Sequence, residues 1–360
     1  MMKTLDLLHR WTGGLIGLVL ALLGLSGAIL VHKDAWVMLP HAGDALAADT
    51  ETVAATVARL MADPAARPQS IGFASETFGL HRLSLGKDAG AYADQAGNVV
   101  ATWQSQWERP EIWLFDFHHH LFAGDTGETV AGIAGIAGLF FVLSGIILWW
   151  RTRKTFEFRL WPRRMSRPAI VRQHRDLGIL VAPLLLLSLY TGLTMIFRPM
   201  TMLVLGPSAP AAIAAGLKPP PPIEAVLADD IDWAAIVRQA RQRFPDAQFR
   251  ILSLPRGDSG LISLRMKQPA EWLPNGRTTL YFAADSGRLV AARDALALPA
   301  TVRGFNMLFP LHAARVGGLP WRLVMTVSGL ALALLGSLAV WSFWFRRNRP
   351  MPARRPATAN

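Results

Sequence analysis

Four long apolar runs divide this chain, at about 11–31, 130–150, 177–197 and 321–345. Each is roughly 20 residues or longer, enough to cross a hydrocarbon core about 30 Å thick. The sequence therefore predicts four transmembrane helices. The two long connections, 33–129 and 198–320, carry a different pattern. In the second, 233–244 has the spacing of a short amphipathic helix. Alternating stretches near 249–254, 261–266, 278–283 and 288–292 read as strands, with a turn at Asp285-Ser286-Gly287. In the first, 52–61 reads as a helix and 70–73, 80–85 and 98–102 as strands, the last following the turn Asp94–Gly97. Lys218 and the four prolines after it form a stiff linker.

Composition supports the membrane class. Hydrophobic residues make up 52% of the chain and charged residues 17%, with mean hydropathy +0.28. The first run is longer than the apolar stretch of a signal peptide. The cleavage-like Ala45-Leu46-Ala47 lies well beyond it, so a retained helix is expected. Lys and Arg set the orientation. The connection 151–175 holds eight Arg and one Lys against Glu157 alone, and 346–360 holds five Arg and no acid. Both are expected in the cytoplasm, with the N-terminus beside Lys3 and Arg10, while the long connections face outward. The net charge of +12 is thus a topology signal and does not point to nucleic acid. With no cysteine, disulfides, iron–sulfur clusters, thiol catalysis and covalent c-type haem are excluded.

Two halves, 1–165 and 166–360, look alike. The first and third spans open on His9-Arg10-x-x-Gly13 and His174-Arg175-x-x-Gly178. They reach Ser26-Gly27 and Thr191-Gly192 at the same offset. The second and fourth spans follow His118 and His312 and end near Trp149-Trp150 and Trp341, Trp344. The predicted fold is a mainly α membrane protein, a bundle of four transmembrane helices with two periplasmic α+β modules and an internal two-fold repeat. Its segments are a span at 1–32, a module at 33–129, a span at 130–150, and a basic loop at 151–175. A span at 176–197, a module at 198–320, a span at 321–345 and a tail at 346–360 follow.

Every apolar run has a histidine at or ahead of its start, although the chain has only 9 histidines in 360 residues. Helix direction sorts them. His9 and His174 share the cytoplasmic side; the triplet His118-His119-His120 and His312 share the outer side. Facing imidazoles on a bundle hold a haem iron, and two same-side pairs suit two haem b groups. Gly13 and Gly17 follow His9 on one helical face, as Gly178 and Ala182 follow His174, leaving room for a flat macrocycle or for close helix packing. Arg10 and Arg175 are candidates to pair with propionates, or plain cytoplasmic-side anchors. Spacing does not resolve the triplet, because neighbours on a helix point about 100° apart. His32 is an alternative outer ligand, a substrate contact or an interfacial residue. His41 and His81 read as surface residues. Zinc is disfavoured, since no acidic or His-x-x-x-His cluster accompanies the pairs.

The ordered motifs resemble the PepSY-associated transmembrane proteins, iron-regulated inner-membrane proteins of bacteria. They are Leu8-His9-Arg10 with Gly24-Leu25-Ser26-Gly27, His118-x-x-Leu121 with Ser144-Gly145 and Leu148-Trp149-Trp150, His174-Arg175 with Thr191-Gly192, and Leu311-His312 with Gly318-Leu319-Pro320. The stretch Asp285-x-Gly287-x-Leu289-Val290 is similar to the end of a PepSY module, placing one at about 225–295. The resemblance spans nearly the whole chain. It implies a di-haem reductase of ferric siderophores such as ferrioxamine, with His9, His174, His118 and His312 as haem ligands. Its partners would be a ferric hydroxamate siderophore, a cytoplasmic or quinol electron donor, and membrane lipid. The alternative is a non-catalytic PepSY sensor or peptidase regulator; a transporter ranks third, lacking a carboxylate pathway. The second connection has 14 basic and 9 acidic residues and the first 6 and 13, so an anionic chelate would prefer the second.

Overall fold

The computed structural model describes residues 2–47 and 49–344, so the tail at 346–360 lies outside the described residues. The first half comprises α1 (Met2–Leu30), α2 (Lys33–Trp36), α3 (Thr50–Leu60), strands β1 (Ser70–Gly72), β2 (His81–Ser84), β3 (Gly90–Ala93) and β4 (Val99–Trp103), α4 (Pro110–His120) and α5 (Gly124–Trp150). The second comprises α6 (Arg167–Ile196), α7 (Met202–Leu205), α8 (Ala209–Leu217), α9 (Trp233–Arg243), strands β5 (Gln248–Ser253), β6 (Leu261–Lys267), β7 (Thr278–Ala283) and β8 (Leu289–Arg293), α10 (Ala300–His312) and α11 (Gly318–Trp344). Four of these helices, α1, α5, α6 and α11, are long and apolar enough to cross a membrane. The protein is a multi-pass membrane protein.

The spans close into a ring in which α1 packs on α5 and α11, and α6 packs on α5 and α11. Corresponding spans of the two halves, α1 with α6 and α5 with α11, therefore stand diagonally opposite, as a repeat about a central axis requires. Leu20, Ala134, Leu177, Leu185 and Leu335 fill the centre. The spans begin earlier than the apolar runs, at Gly124 and Arg167. Polar residues before each run continue the helix, because helical hydrogen bonding does not end where lipid contact does.

The two α+β modules share one antiparallel sheet of eight strands, ordered β4-β3-β2-β1-β5-β6-β7-β8. β1 and β5 join the halves, with Ser70 opposite Ser253 and Ile71 opposite Leu252. Left alone, each half-sheet would expose an unpaired edge; pairing two like edges removes both. One face is covered by α3 and α9 and forms a single core through Val57, Ile71, Ile236, Leu252 and Phe282. The sheet lies at one end of the bundle, the sheet side; the connection 151–166 lies at the other, the loop side.

His81 departs from its surface reading. It is 4% exposed, accepts the Ala74 N–H at Nδ1 (2.9 Å) and meets Phe73 edge-on. The sequence signal was misleading because its strand neighbour Arg82 is exposed while His81 points inward. Burial pushes the His81 imidazole down to about 4 from 6.5. The unfolded chain then binds the extra proton between those values. The sheet is expected to be fully stable above pH 6.5 and to lose up to roughly 3 kcal/mol as pH falls towards 4. Thermal unfolding at pH 7 and pH 5, in wild type and His81→Leu, checks this; an equal pH slope in both sinks it. His41 is exposed and lies 2.8 Å from Asp44.

Candidate functional site

The structure brings the four singled-out histidines together as two facing pairs. On the loop side, His9 of α1 and His174 of α6 face across the bundle with ring centroids 6.2 Å apart. On the sheet side, His118 and His312 face with the same 6.2 Å separation. The second pair arises differently from the sequence expectation. His118 and His312 do not start the spans. They lie at the C-terminal ends of two separate helices, α4 and α10, which descend from the sheet. Leu121 and Phe122 after α4, and Ala314 after α10, adopt positive φ and break each helix from its span. The repeat places α4 against α1 and α10 against α6.

Each imidazole in three of the four cases is oriented through Nδ1 by a residue preceding a glycine on the helix behind it. His9 Nδ1 lies 2.8 Å from Ser144 Oγ, His118 Nδ1 2.9 Å from Ser26 Oγ, and His312 Nδ1 3.2 Å from Thr191 Oγ1 and 3.0 Å from the Ser188 carbonyl. Each hydroxyl already donates to its own helix: Ser144 to the Phe140 carbonyl, Ser26 to Leu23 and Thr191 to Leu187. The hydroxyl oxygens therefore accept. All three rings carry the proton on Nδ1, which leaves the Nε2 lone pair free. Fixing the tautomer through the second nitrogen is how proteins prepare a histidine for a metal. The fourth, His174, has a buried Nδ1 with no well-aligned hydrogen bond among the described residues; the Leu335 backbone, again before a glycine, faces it.

The glycines fit the same purpose. A Cβ on Gly27 would lie 3.0 Å from His118 Cε1, and one on Gly192 3.1 Å from His312 Cε1. Beside the loop-side pair, a Cβ on Gly13 or Gly178 would meet nothing within 4 Å. All four histidines are half-buried. On the sheet side, burial holds His118 down to about 3 and lowers His312 as well, so both stay neutral, the form that ligates a metal.

Each pair, His9 with His174 and His118 with His312, could hold a metal-centred macrocycle between its two imidazoles. A metal–imidazole bond of about 2.0–2.1 Å and a ring radius of roughly 1.2 Å place two axial ring centroids roughly 6.4 Å apart. Both pairs match that separation. Among the described residues no three His, Cys, Asp or Glu converge on one point. Each pair thus offers two nitrogen ligands, the donor set of a bis-histidine haem and too few for a closed zinc site.

The other candidates fall outside the pairs. His119 stacks on Phe115 and bonds His120 (3.2 Å), which bonds Asp116 (2.9 Å). His32 bonds Thr326 across to α11 (2.8 Å). Arg175 is held by Asp176 and by Thr155. Among the described residues Arg10 pairs only with the exposed Asp6 (3.6 Å). The orienting roles of Ser26, Ser144 and Thr191 were missed, although their glycine pairs and their spacing were visible: seventeen residues separate His9 from Ser26 and His174 from Thr191.

A four-span bundle capped by a fused α+β sheet, with an imidazole pair near each end, is the architecture of a multi-pass membrane protein. The chain belongs to the family of the PepSY-associated TM region, whose model matches residues 7–347. No curated protein matches it.

Proposed function

We propose that this protein is a di-haem membrane oxidoreductase that passes electrons across a bacterial inner membrane to a ferric siderophore on the sheet side. The observation that carries the reading is the pair of facing imidazole sets, equal in separation and at opposite ends of the bundle. When bound, haem b supplies reversible one-electron transfer. His9 and His174 would hold one group, His118 and His312 the other. Ser144, Ser26 and Thr191 keep the ligating nitrogens unprotonated. In this reading the Arg-rich connection 151–175 and both termini face the cytoplasm, and a quinol or cytoplasmic donor delivers electrons to the loop-side pair. One electron converts Fe(III) to Fe(II), whose weaker affinity for hydroxamate oxygens frees the metal without breaking the chelator.

Protein purified after haem supply is expected to give two b-type haems per chain by pyridine haemochromogen, with a reducible low-spin spectrum. Dithionite-reduced protein should be reoxidised by a ferric hydroxamate, with ferrous iron caught by a trap. A colourless protein that remains folded in detergent overturns the reading and favours a membrane sensor.

A further inference from the structure

The sheet face opposite α3 and α9 carries three arginines, Arg265, Arg277 and Arg293, against one nearby carboxylate, Glu271. Arg265 on β6 lies opposite Thr279 on β7, and Thr279 lies opposite Arg293 on β8. Arg265 and Arg293 thus share one cross-strand row, about 10 Å apart at ordinary strand spacing. Arg277 precedes Thr279 by two residues and points to the same face. The core side chains Ile262, Leu264, Leu280 and Phe282 occupy the other face. Among the described residues, Arg265 makes no hydrogen bond or ion pair, and neither Arg277 nor Arg293 has a carboxylate partner. Arg277 bonds Asn306 Oδ1 (3.3 Å), and Arg293 bonds the carbonyls of Leu217 and Lys218 and lies over Tyr281. The buried Glu271 nearby accepts from the Gln268 and Arg277 backbone N–H groups and the Thr278 hydroxyl, and its single charge offsets only part of the three guanidinium charges. Burial first, then Arg265, Arg198 and Arg293, pushes the Arg277 guanidinium down to about 10 against the opposing pull of Glu271. Like charges packed this way repel, and an anion between them relieves the cost.

The cluster sits above the sheet-side histidines. Asn306, the partner of Arg277, is on α10, and His312 follows about 9 Å further down that helix. The segment between β6 and β7 that carries Glu271 and Arg277 also carries Trp272. Trp272 lines an open apolar pocket of about 510 Å³ with Leu311, Val316, Gly317 and Trp321, a size suited to a small ligand. The pocket thus reaches Leu311, next to His312 in the chain, and Arg277 bonds Asn306 higher on the same helix.

We propose that Arg265, Arg277 and Arg293 select the acceptor, and that the protein's preferred substrate is an anionic ferric chelate with aromatic oxygen donors, of the tris-catecholate kind, over a neutral tris-hydroxamate. This rests on the reductase reading given above for the histidine pairs.

The test uses redox-inert gallium(III) chelates, so that binding is measured apart from electron transfer. Full-length protein in neutral detergent is titrated with gallium tris-catecholate and gallium tris-hydroxamate, following tryptophan fluorescence and calorimetric heat. The anionic chelate should bind at least tenfold tighter, with affinity falling as salt rises. Arg265→Gln and Arg277→Gln should each lose about tenfold for the anionic chelate and nothing for the neutral one. Arg243→Gln, on the helix face of the sheet, should change neither. Equal affinity for the two chelates, or undiminished binding in Arg265→Gln, overturns the proposal. So does displacement of the anionic chelate by phosphatidylglycerol vesicles but not by phosphatidylcholine vesicles, which assigns the cluster to a lipid headgroup. Charge-selective binding in a protein that takes up no haem would keep this site and remove the reductase reading. Equal affinity for the two gallium chelates, together with reduction of the corresponding ferric chelates at equal rates, would do the reverse.

Discussion

His174→Ala is expected to remove one haem and leave the other. His9→Ala should remove the same one, and the double variant should lose no more than either single change. His118→Ala and His312→Ala should form a second such set. The reason is the geometry of the pairs: each site has two imidazole nitrogens and no third donor among the described residues. Deleting one ring leaves the iron a single protein ligand. His119→Ala and His120→Ala should keep both haems, because those rings are bonded to one another and to Asp116. Ser144→Ala lies between the extremes. It leaves His9 in place but frees its tautomer, a change that weakens metal sites by about 10–100-fold. The measurement is haem per chain and the low-spin spectrum of each variant, with size-exclusion behaviour as the folding control. If His9→Ala and His312→Ala removed the same haem, the pairing described above would be wrong. If His119→Ala removed the sheet-side haem, His118 would be the wrong member of the triplet.

How much of this was legible in the sequence depends on range. The four spans were visible because about 20 apolar residues in a row have few other uses. The sorting of His9 with His174, and of the triplet His118-His119-His120 with His312, followed from alternating helix direction; the choice of His118 within the triplet came from the family resemblance. The strands of the second half were visible because Ile262, Leu264 and Met266 alternate with polar residues. β3 was not. Gly90-Ala91-Tyr92-Ala93 is short, buried on both faces and poor in β-branched residues, so no alternation marks it. The helix breaks after His120 and His312 were also hidden. Leu121, Phe122 and Ala314 take the left-handed conformation there, which residues of these types rarely adopt and which no turn motif announces. Hence His118 and His312 were read as span starts instead of helix ends. The pairing of β1 with β5 joins segments about 180 residues apart, and nothing local encodes it. The arginine row needed that register too. Arg265, Thr279 and Arg293 share a face by parity, but they become neighbours only once the strands are aligned.

Gly329→Val is expected to prevent assembly of the bundle, whereas Gly13→Val should fold and fail only to load the loop-side haem. The helices α1 and α11 cross with backbone against backbone. A Cβ on Gly329 would lie 2.5 Å from the Gly24 carbonyl oxygen, and one on Gly24 2.6 Å from the Gly329 carbonyl oxygen. The obstacle on each side is main chain, so no rotamer relieves it, and the helices must separate. Small residues are what permit such approach in membranes, where no hydrophobic effect draws helices together. The cost should exceed the roughly 1–3 kcal/mol typical of an overpacked core. Separation of α1 from α11 would also displace His9, Ser26 and Leu335 together, so both haems should be lost along with the fold. Gly13 is the contrast. It lies one turn from His9 on the same face, and a Cβ there meets no atom within 4 Å. The protein alone has no reason to reject a valine at this position; a macrocycle held between His9 and His174 would. Yield from membranes, thermal unfolding in detergent and haem per chain separate the two cases. A normally folded Gly329→Val protein would disprove the close crossing. A Gly13→Val protein with both haems at full occupancy would show that the open space beside His9 is not where the ring lies.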